Sequence, residues 1–176
     1  NLVKELVVTY VNQLWVCDIT YIYTIDDKFC YLHLVTDAFS RMIIGYILAP
    51  TLEAKYTIEA LQQAISHARS GNLCGTIHHS DRGVQYCCDE YISQLKEHHI
   101  RISMTEDSNP TDNGMAERVN GIIKNEFLEP LQTPKNLLEA LPLVDHAVRT
   151  YNTLRPHLNL SMRTPAQVYE GKQIIL

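Results

Sequence analysis

The sequence predicts one α/β domain on a mixed five-stranded sheet, and three observations carry that expectation. β-Branched and aromatic residues fill Leu14 to Phe39 and Met42 to Leu48, broken by Asp26-Asp27-Lys28 and by Ser40-Arg41. Thr51 to Arg69 then carries apolar residues at helical spacing. Short apolar runs alternate with helical segments after that, giving the order βββαβαβαα, an α/β pattern. At 176 residues the chain has the usual length of one domain.

The first two runs read as three antiparallel strands joined by tight turns. In the helix that follows, Ile58, Leu61, Ala64, Ile65 and Ala68 form the buried stripe, and Gly71 ends it. Gly75 to His79 is a short strand, Tyr86 to His98 a helix, and Ile100 to Met104 a further strand. A polar loop from Thr105 to Thr111 leads to a helix capped by Asp112 or Asn113 and running to about Phe127. Thr133-Pro134 and Thr164-Pro165 each set a cap residue before a proline suited to the first helical position. Repeats, low-complexity tracts and long linkers are all missing from this pattern.

Composition removes several classes. Apolar residues at 45% suit a folded core, so neither disulfides nor a structural metal are needed for folding. Five cysteines, an odd number without a CxxC pair, argue against a secreted disulfide framework and are expected to be buried thiols. Adjacent His78-His79, Cys87-Cys88 and His98-His99 lack the ligand spacing of structural zinc. Asn109 to Asn120 has asparagine where a calcium loop needs its first and last acids. No GxxxxGK[ST] loop is present, so no nucleotide cofactor is expected. No apolar run approaches the ~18 residues of a membrane span, and no signal peptide is recognisable. The chain begins at Asn1 and is expected to be a cytoplasmic bacterial domain cut from a longer one.

A formal charge of −5 is unusual for a nucleic-acid binder, which is normally basic. The charge is uneven, however. Between Asp145 and Glu170 there is no acid, while Arg149, Arg155 and Arg163 lie there with His157. A basic strip on an acidic domain suits a protein that meets phosphate and also gathers carboxylates around a cation.

Three acids stand out by position. Asp18 interrupts the apolar strand Trp15-Val16-Cys17-Asp18-Ile19-Thr20-Tyr21, and a buried carboxylate must be paired, neutralised or metal-bound. The alternative is a wet strand face. Asp81 ends the strand Thr76-Ile77-His78-His79-Ser80, where ligands gather in α/β sheets, or else is a turn residue before Gly83. Glu117 lies one turn into its helix, either in a site or on a solvated face. At about 100° per residue, Ala116, Val119, Ile123 and Phe127 form the apolar stripe, Lys124 shares the Glu117 side, and Glu126 points away.

Those residues carry a resemblance. Trp15 to Tyr21, His79-Ser80-Asp81-Arg82-Gly83-Val84-Gln85-Tyr86, and Asp112-Asn113-Gly114-Met115-Ala116-Glu117-Arg118 resemble the three catalytic blocks of DDE insertion-sequence transposases of the retroviral-integrase superfamily. Thirty-five residues separate Asp81 from Glu117, as in the D,D(35)E group. Tyr151-Asn152, Arg155-Pro156-His157, Leu160 and Thr164-Pro165 resemble the closing segment, so the likeness runs from Trp15 to Tyr169.

The resemblance implies an RNase H-like fold, with a core over about residues 14–130 and a C-terminal helical segment over 131–176. It implies that Asp18, Asp81 and Glu117 are catalytic and hold two Mg²⁺ ions, with Mn²⁺ as a substitute. Such ions lie ~3.5–4 Å apart and activate oxygen nucleophiles, and magnesium favours hard oxygen ligands. The implied partners are DNA, as element ends and target, and further copies of the chain in a dimer or larger homo-oligomer. The implied reaction is hydrolysis at the element end followed by strand transfer. Lys124 matches a basic position seven residues after the glutamate; Asn120 and Arg118 are the other expected DNA contacts. His79, two residues before Asp81, is expected to face the same side and orient it.

Glu106 and Asp107 depart from the small or basic residues that many relatives have there. The few residues ahead of Trp15 are too short for a DNA-reading domain, so end recognition is expected elsewhere. Two other readings stay open: a non-catalytic DNA- or protein-interaction module of the same descent, and an RNase H-like nuclease that cuts without joining.

Overall fold

The computed structural model describes residues 1–68, 73–106 and 113–171. Gly71, Asp107 and Asp112, which the sequence places at a helix stop, a departure and a cap, lie outside the described residues. Strands β1 (Leu14–Thr24), β2 (Lys28–Asp37) and β3 (Ile43–Ala49) form an antiparallel meander, and β4 (Ile77–Ser80) and β5 (Arg101–Met104) extend it in parallel. The sheet order is β3-β2-β1-β4-β5, which puts β1 in the centre.

Both faces of β1 are covered over Leu14 to Cys17, where it reads as a continuous apolar run, while Tyr21 and Tyr23 further along are exposed. Trp15 and Cys17 pack with Leu61 and Ala64 of helix α1 (Ala54–His67) and with Tyr91 and Leu95 of α3 (Asp89–Glu97). On the opposite face, Ile22 packs with Val119 of α4 (Gly114–Ile122) and with Val144 and Val148 of the long helix at Leu137–Thr153. Gly45 of β3 lies against α1 so closely that a Cβ would meet the Ala60 carbonyl oxygen and stand 2.9 Å from the Ala64 nitrogen. Only glycine permits that approach, and it fixes α1 on the meander.

Four expectations need correction. The helix expected over Tyr86 to His98 is two pieces, α2 (Val84–Cys87) and α3, because Cys88 is extended at ψ 147. The expected helix running to Phe127 continues from α4 as a π-helical segment, Ile123–Leu128. Thr133-Pro134 does not begin a helix. Helix α5 (Leu137–Thr153) is capped by Asn136, whose side chain accepts from the Glu139 nitrogen, while the Pro134 and Lys135 carbonyls accept from Ile25 and Asp26 in the β1–β2 turn. The five cysteines are free, but Cys74 and Cys87 are exposed rather than buried. Thr164-Pro165 behaves as expected: Thr164 forms a capping box with Gln167 at the start of α6 (Pro165–Tyr169). Among the described residues, no helix is long and apolar enough to cross a membrane.

Candidate active site

Parallel pairing of β1 with β4 builds the site. Val16 pairs with His79, and two residues further along each strand come Asp18 and Asp81. The two carboxylates therefore come side by side where β1 and β4 part, Asp18 in the middle of β1 and Asp81 just past the carboxyl end of β4, the kind of edge where α/β sheets collect ligands. Both line a cavity of about 140 Å³ with Tyr21, Leu52, Gln85 and Tyr86.

Helix α4 lies across β1 through two asparagines seven residues apart, hence two helical turns apart on one side. Asn113 donates through Nδ2 to the Cys17 carbonyl at 3.0 Å, and Asn120 donates to Asp18 Oδ2 at 2.7 Å. Asn113 is thus a strut beside Asp18, not a side-chain cap. Asn120, an expected DNA contact, is buried and donates its amide to Asp18. Glu117 sits between these asparagines in sequence and is exposed in the first turn of α4.

The electrostatics bind the three acids together. Burial pushes the Asp18 carboxyl up to about 6, and the fields of Asp81 and Glu117 add to the rise against the Asn120 hydrogen bond. Asp81 is exposed and accepts from the Gly83 backbone N–H at 2.9 Å, which fixes the turn after β4. Tyr86 forms a buried wall, and its hydroxyl is raised by burial and then by Cys17, Asp18 and Asp81. Among the described residues, no three His, Cys, Asp or Glu side chains are gathered tightly enough to hold one ion. Three like charges repel at close range, so a looser arrangement is what this donor set gives without a counter-cation. The donors still suit a hard cation: the shared cavity is lined by carboxylate oxygens and by neither histidine nor cysteine.

The remaining sequence candidates separate. Lys124 follows α4 in the π-helical segment and lines a second cavity, about 360 Å³, with Tyr21, Tyr23 and Phe29. Tyr21 belongs to both cavities, so Lys124 lies further along β1 from Asp18. Arg118 is exposed on another side of α4, facing a cavity shared with Arg41 and Arg155. His79 is fully buried, with Nδ1 2.9 Å from Ser103 Oγ on β5. The side-to-side alternation that would put His79 with Asp81 ends at Ser80; beyond the strand, Asp81 shares its cavity with Tyr86, whose ring packs on His78. Glu126 points away as expected, held by two 2.6 Å bonds from Arg155. Asp37, a buried acid that strand pattern does not single out, accepts from Asn12 and Ser40 and so closes a corner of the fold.

With that geometry established, the relatives of the chain are informative. The integrase core domain family matches residues 9–110, and a second integrase core domain description matches 98–165. The chain belongs to the integrase core domain family. It is 38% identical over 122 residues to a putative transposase for insertion sequence element IS986/IS6110 from Mycobacterium tuberculosis, covering 68% of this chain and 44% of the relative. It is 32% identical over 164 residues to the transposase for insertion sequence element IS629 from Shigella sonnei, covering 93% and 54%. The chain therefore spans about half the length of these relatives. Among solved structures, the HTLV-2 integrase catalytic core domain in complex with magnesium, in a trimeric form, matches with a TM-score of 0.68 at 27% identity, covering 91% of this chain and 97% of that one. The fold is RNase H-like, as these integrase cores are.

Proposed function

We propose that this chain is the catalytic core of a DNA transposase, a polynucleotidyl transferase that uses Asp18, Asp81 and Glu117 with Mg²⁺ or Mn²⁺. The observation that carries the reading is the meeting of Asp18 and Asp81 in one cavity, with Glu117 contributing to the same field. A magnesium-bound integrase core among the structural relatives supports the choice of cation. Bound between these carboxylates, Mg²⁺ would neutralise phosphate charge and activate the attacking oxygen.

The residues of the chain then have separable tasks. Asn120 fixes the Asp18 carboxylate, the Gly83 N–H fixes Asp81, and Asn113 holds α4 so that Glu117 stays beside them. In hydrolysis, water attacks one phosphodiester, and the broken P–O bond leaves a 3′-OH and a 5′-phosphate. In joining, that 3′-OH attacks a phosphodiester of a second DNA; one P–O bond forms as another breaks, so no nucleotide cofactor is consumed. Lys124 reaches the backbone of the bound strand, and the active assembly contains more than one copy of the chain.

The test uses a supercoiled plasmid and a labelled oligonucleotide with Mn²⁺, where nicking reads hydrolysis and label transfer reads joining. Asp18→Asn, Asp81→Asn and Glu117→Gln should each abolish both, with near-native circular dichroism. Nicking without label transfer would favour a nuclease. Undiminished activity in any variant would remove that residue from the site.

A further inference from the structure

A second site lies on the side of α4 that carries Arg118. A cavity of about 790 Å³ opens between the first turns of α4, the β2–β3 turn and the segment after α5. Arg41, Arg118, Arg155 and His157 line it, and no carboxylate does. Arg155 is already neutralised by Glu126, and its Nη1 lies 3.3 Å from His157 Nε2. Burial, then Arg155 and Arg41, disfavour the protonated form of His157, so that imidazole adds no charge.

Arg41 and Arg118 remain. Neither has a carboxylate within 4.0 Å among the described residues. Arg41 occupies the left-handed region at φ 66, and its carbonyl is held by the buried Tyr151 hydroxyl at 3.0 Å. The turn is thus kept in an unfavourable backbone conformation by a core residue, with Arg41 at the cavity wall. Burial lowers the Arg41 proton affinity and the Arg118 charge lowers it again, against the opposing fields of Tyr151 and Asp37, so two cations share one cavity that no carboxylate lines among the described residues. Such an arrangement calls for an anion.

The cavity exceeds what one small anion fills, and much of the rest of its wall is apolar, with Met115, Val119, Ile122 and Met162 beside a single amide, Asn159. Guanidinium pairs match phosphate oxygens, and phosphate contacts position a duplex without reading its sequence. Arg118 follows Glu117 directly on α4, so one strand can reach both sides of this helix.

We propose that the Arg41–Arg118 cavity binds the DNA backbone away from the scissile phosphate and does so without metal. The proposal rests on the transposase reading only for the identity of the DNA. The experiment is fluorescence anisotropy with a labelled duplex in EDTA across a salt series. Arg41→Gln/Arg118→Gln is compared with Lys96→Gln/Arg101→Gln, which removes equal charge from exposed positions outside the cavity. Two phosphate contacts predict a log–log salt slope shallower by about 1.8 for the cavity variant, at about 0.9 per phosphate. Affinity should fall about tenfold or more at low salt, with the control near wild type.

Equal losses in both double variants would reduce the effect to net charge and overturn the site, as would an unchanged cavity variant. Displacement by polyglutamate as readily as by unlabelled duplex would assign the cavity to acidic peptide and also overturn it. Free phosphate as an equally effective competitor would do the same. Circular dichroism confirms that each variant is folded. Asp18→Asn should keep this metal-free binding, so a chain that binds DNA here but never cleaves it contradicts the proposed function and leaves the cavity intact.

Discussion

The two sides of α4 are opposites built the same way. On one side the fields of Asp81 and Glu117 meet at Asp18, and on the other Arg41 and Arg118 share a cavity that no carboxylate lines. Each leaves like charges partly desolvated, and burial shifts both Asp18 and Arg41 toward neutrality. Elsewhere the chain does otherwise. Glu126 is closed off by Arg155, and Asp37 is filled by turn donors. Glu126 and Asp37 are thus paired within the chain, whereas the charges flanking α4 lie beside others of their own sign. A single nine-residue helix separates the proposed cation site from the proposed anion site.

The largest break in the comparison comes from Asp18→Asn. Cleavage should fall at least about 10²–10³-fold, the scale of losing a central electrostatic group. Metal-free stability at pH 7.5 should nonetheless rise, by up to about 3 kcal/mol for a shift of roughly two pH units. Calorimetric melting checks this, and a lower melting temperature would mean that Asp18 serves the fold. The pH dependence sharpens the same point. The folded-state pKa, about 6, lies above the ordinary value of 3.8. The native state therefore binds more protons, and its stability declines as pH rises from about 4 through 6. The Asn variant should lack that part of the slope.

A smaller effect is expected at the strut. Asn113→Ala leaves the buried Cys17 carbonyl without its donor and should destabilise by about 1–3 kcal/mol in urea melts. Arg118→Gln, exposed on the same helix, should change stability by less than about 0.5 kcal/mol. Equal losses would deny α4 its anchoring side. The smallest effect belongs to Lys124→Ala, which should flatten the salt dependence of DNA binding by about 0.9 in slope. Unchanged slope and joining rate would remove DNA from the Tyr21–Lys124 cavity.

The sheet and the acid spacing were legible because they depend on local sequence. β-Branched alternation marks β1 to β3, and the 35 residues between Asp81 and Glu117 survive any detail of packing. What escaped depends on contacts between distant segments. Helix α5 starts at Leu137 because Asp27 of the β1–β2 turn accepts from its backbone N–H at 2.8 Å, overriding the local Thr133-Pro134 signal. Asn113 reads as a cap and Asn120 as a DNA contact, and their bonds to Cys17 and Asp18 appear only once β1 lies beneath them. Their spacing of two turns was the available clue. Arg41 reads as a turn residue, and only the fold brings it to Arg118, 77 positions away.

The central claim is that the acidic side of α4 is a dedicated divalent-cation site. Calorimetric titration with Mn²⁺ tests it most directly, comparing the wild type with Asp18→Asn/Asp81→Asn/Glu117→Gln. The wild type should bind saturably, with affinity falling about tenfold per pH unit below about 6 as a proton competes for Asp18. The triple variant should show only weak, unsaturable heat. Equal binding by both proteins, or binding indifferent to pH between 5 and 7, would contradict the account.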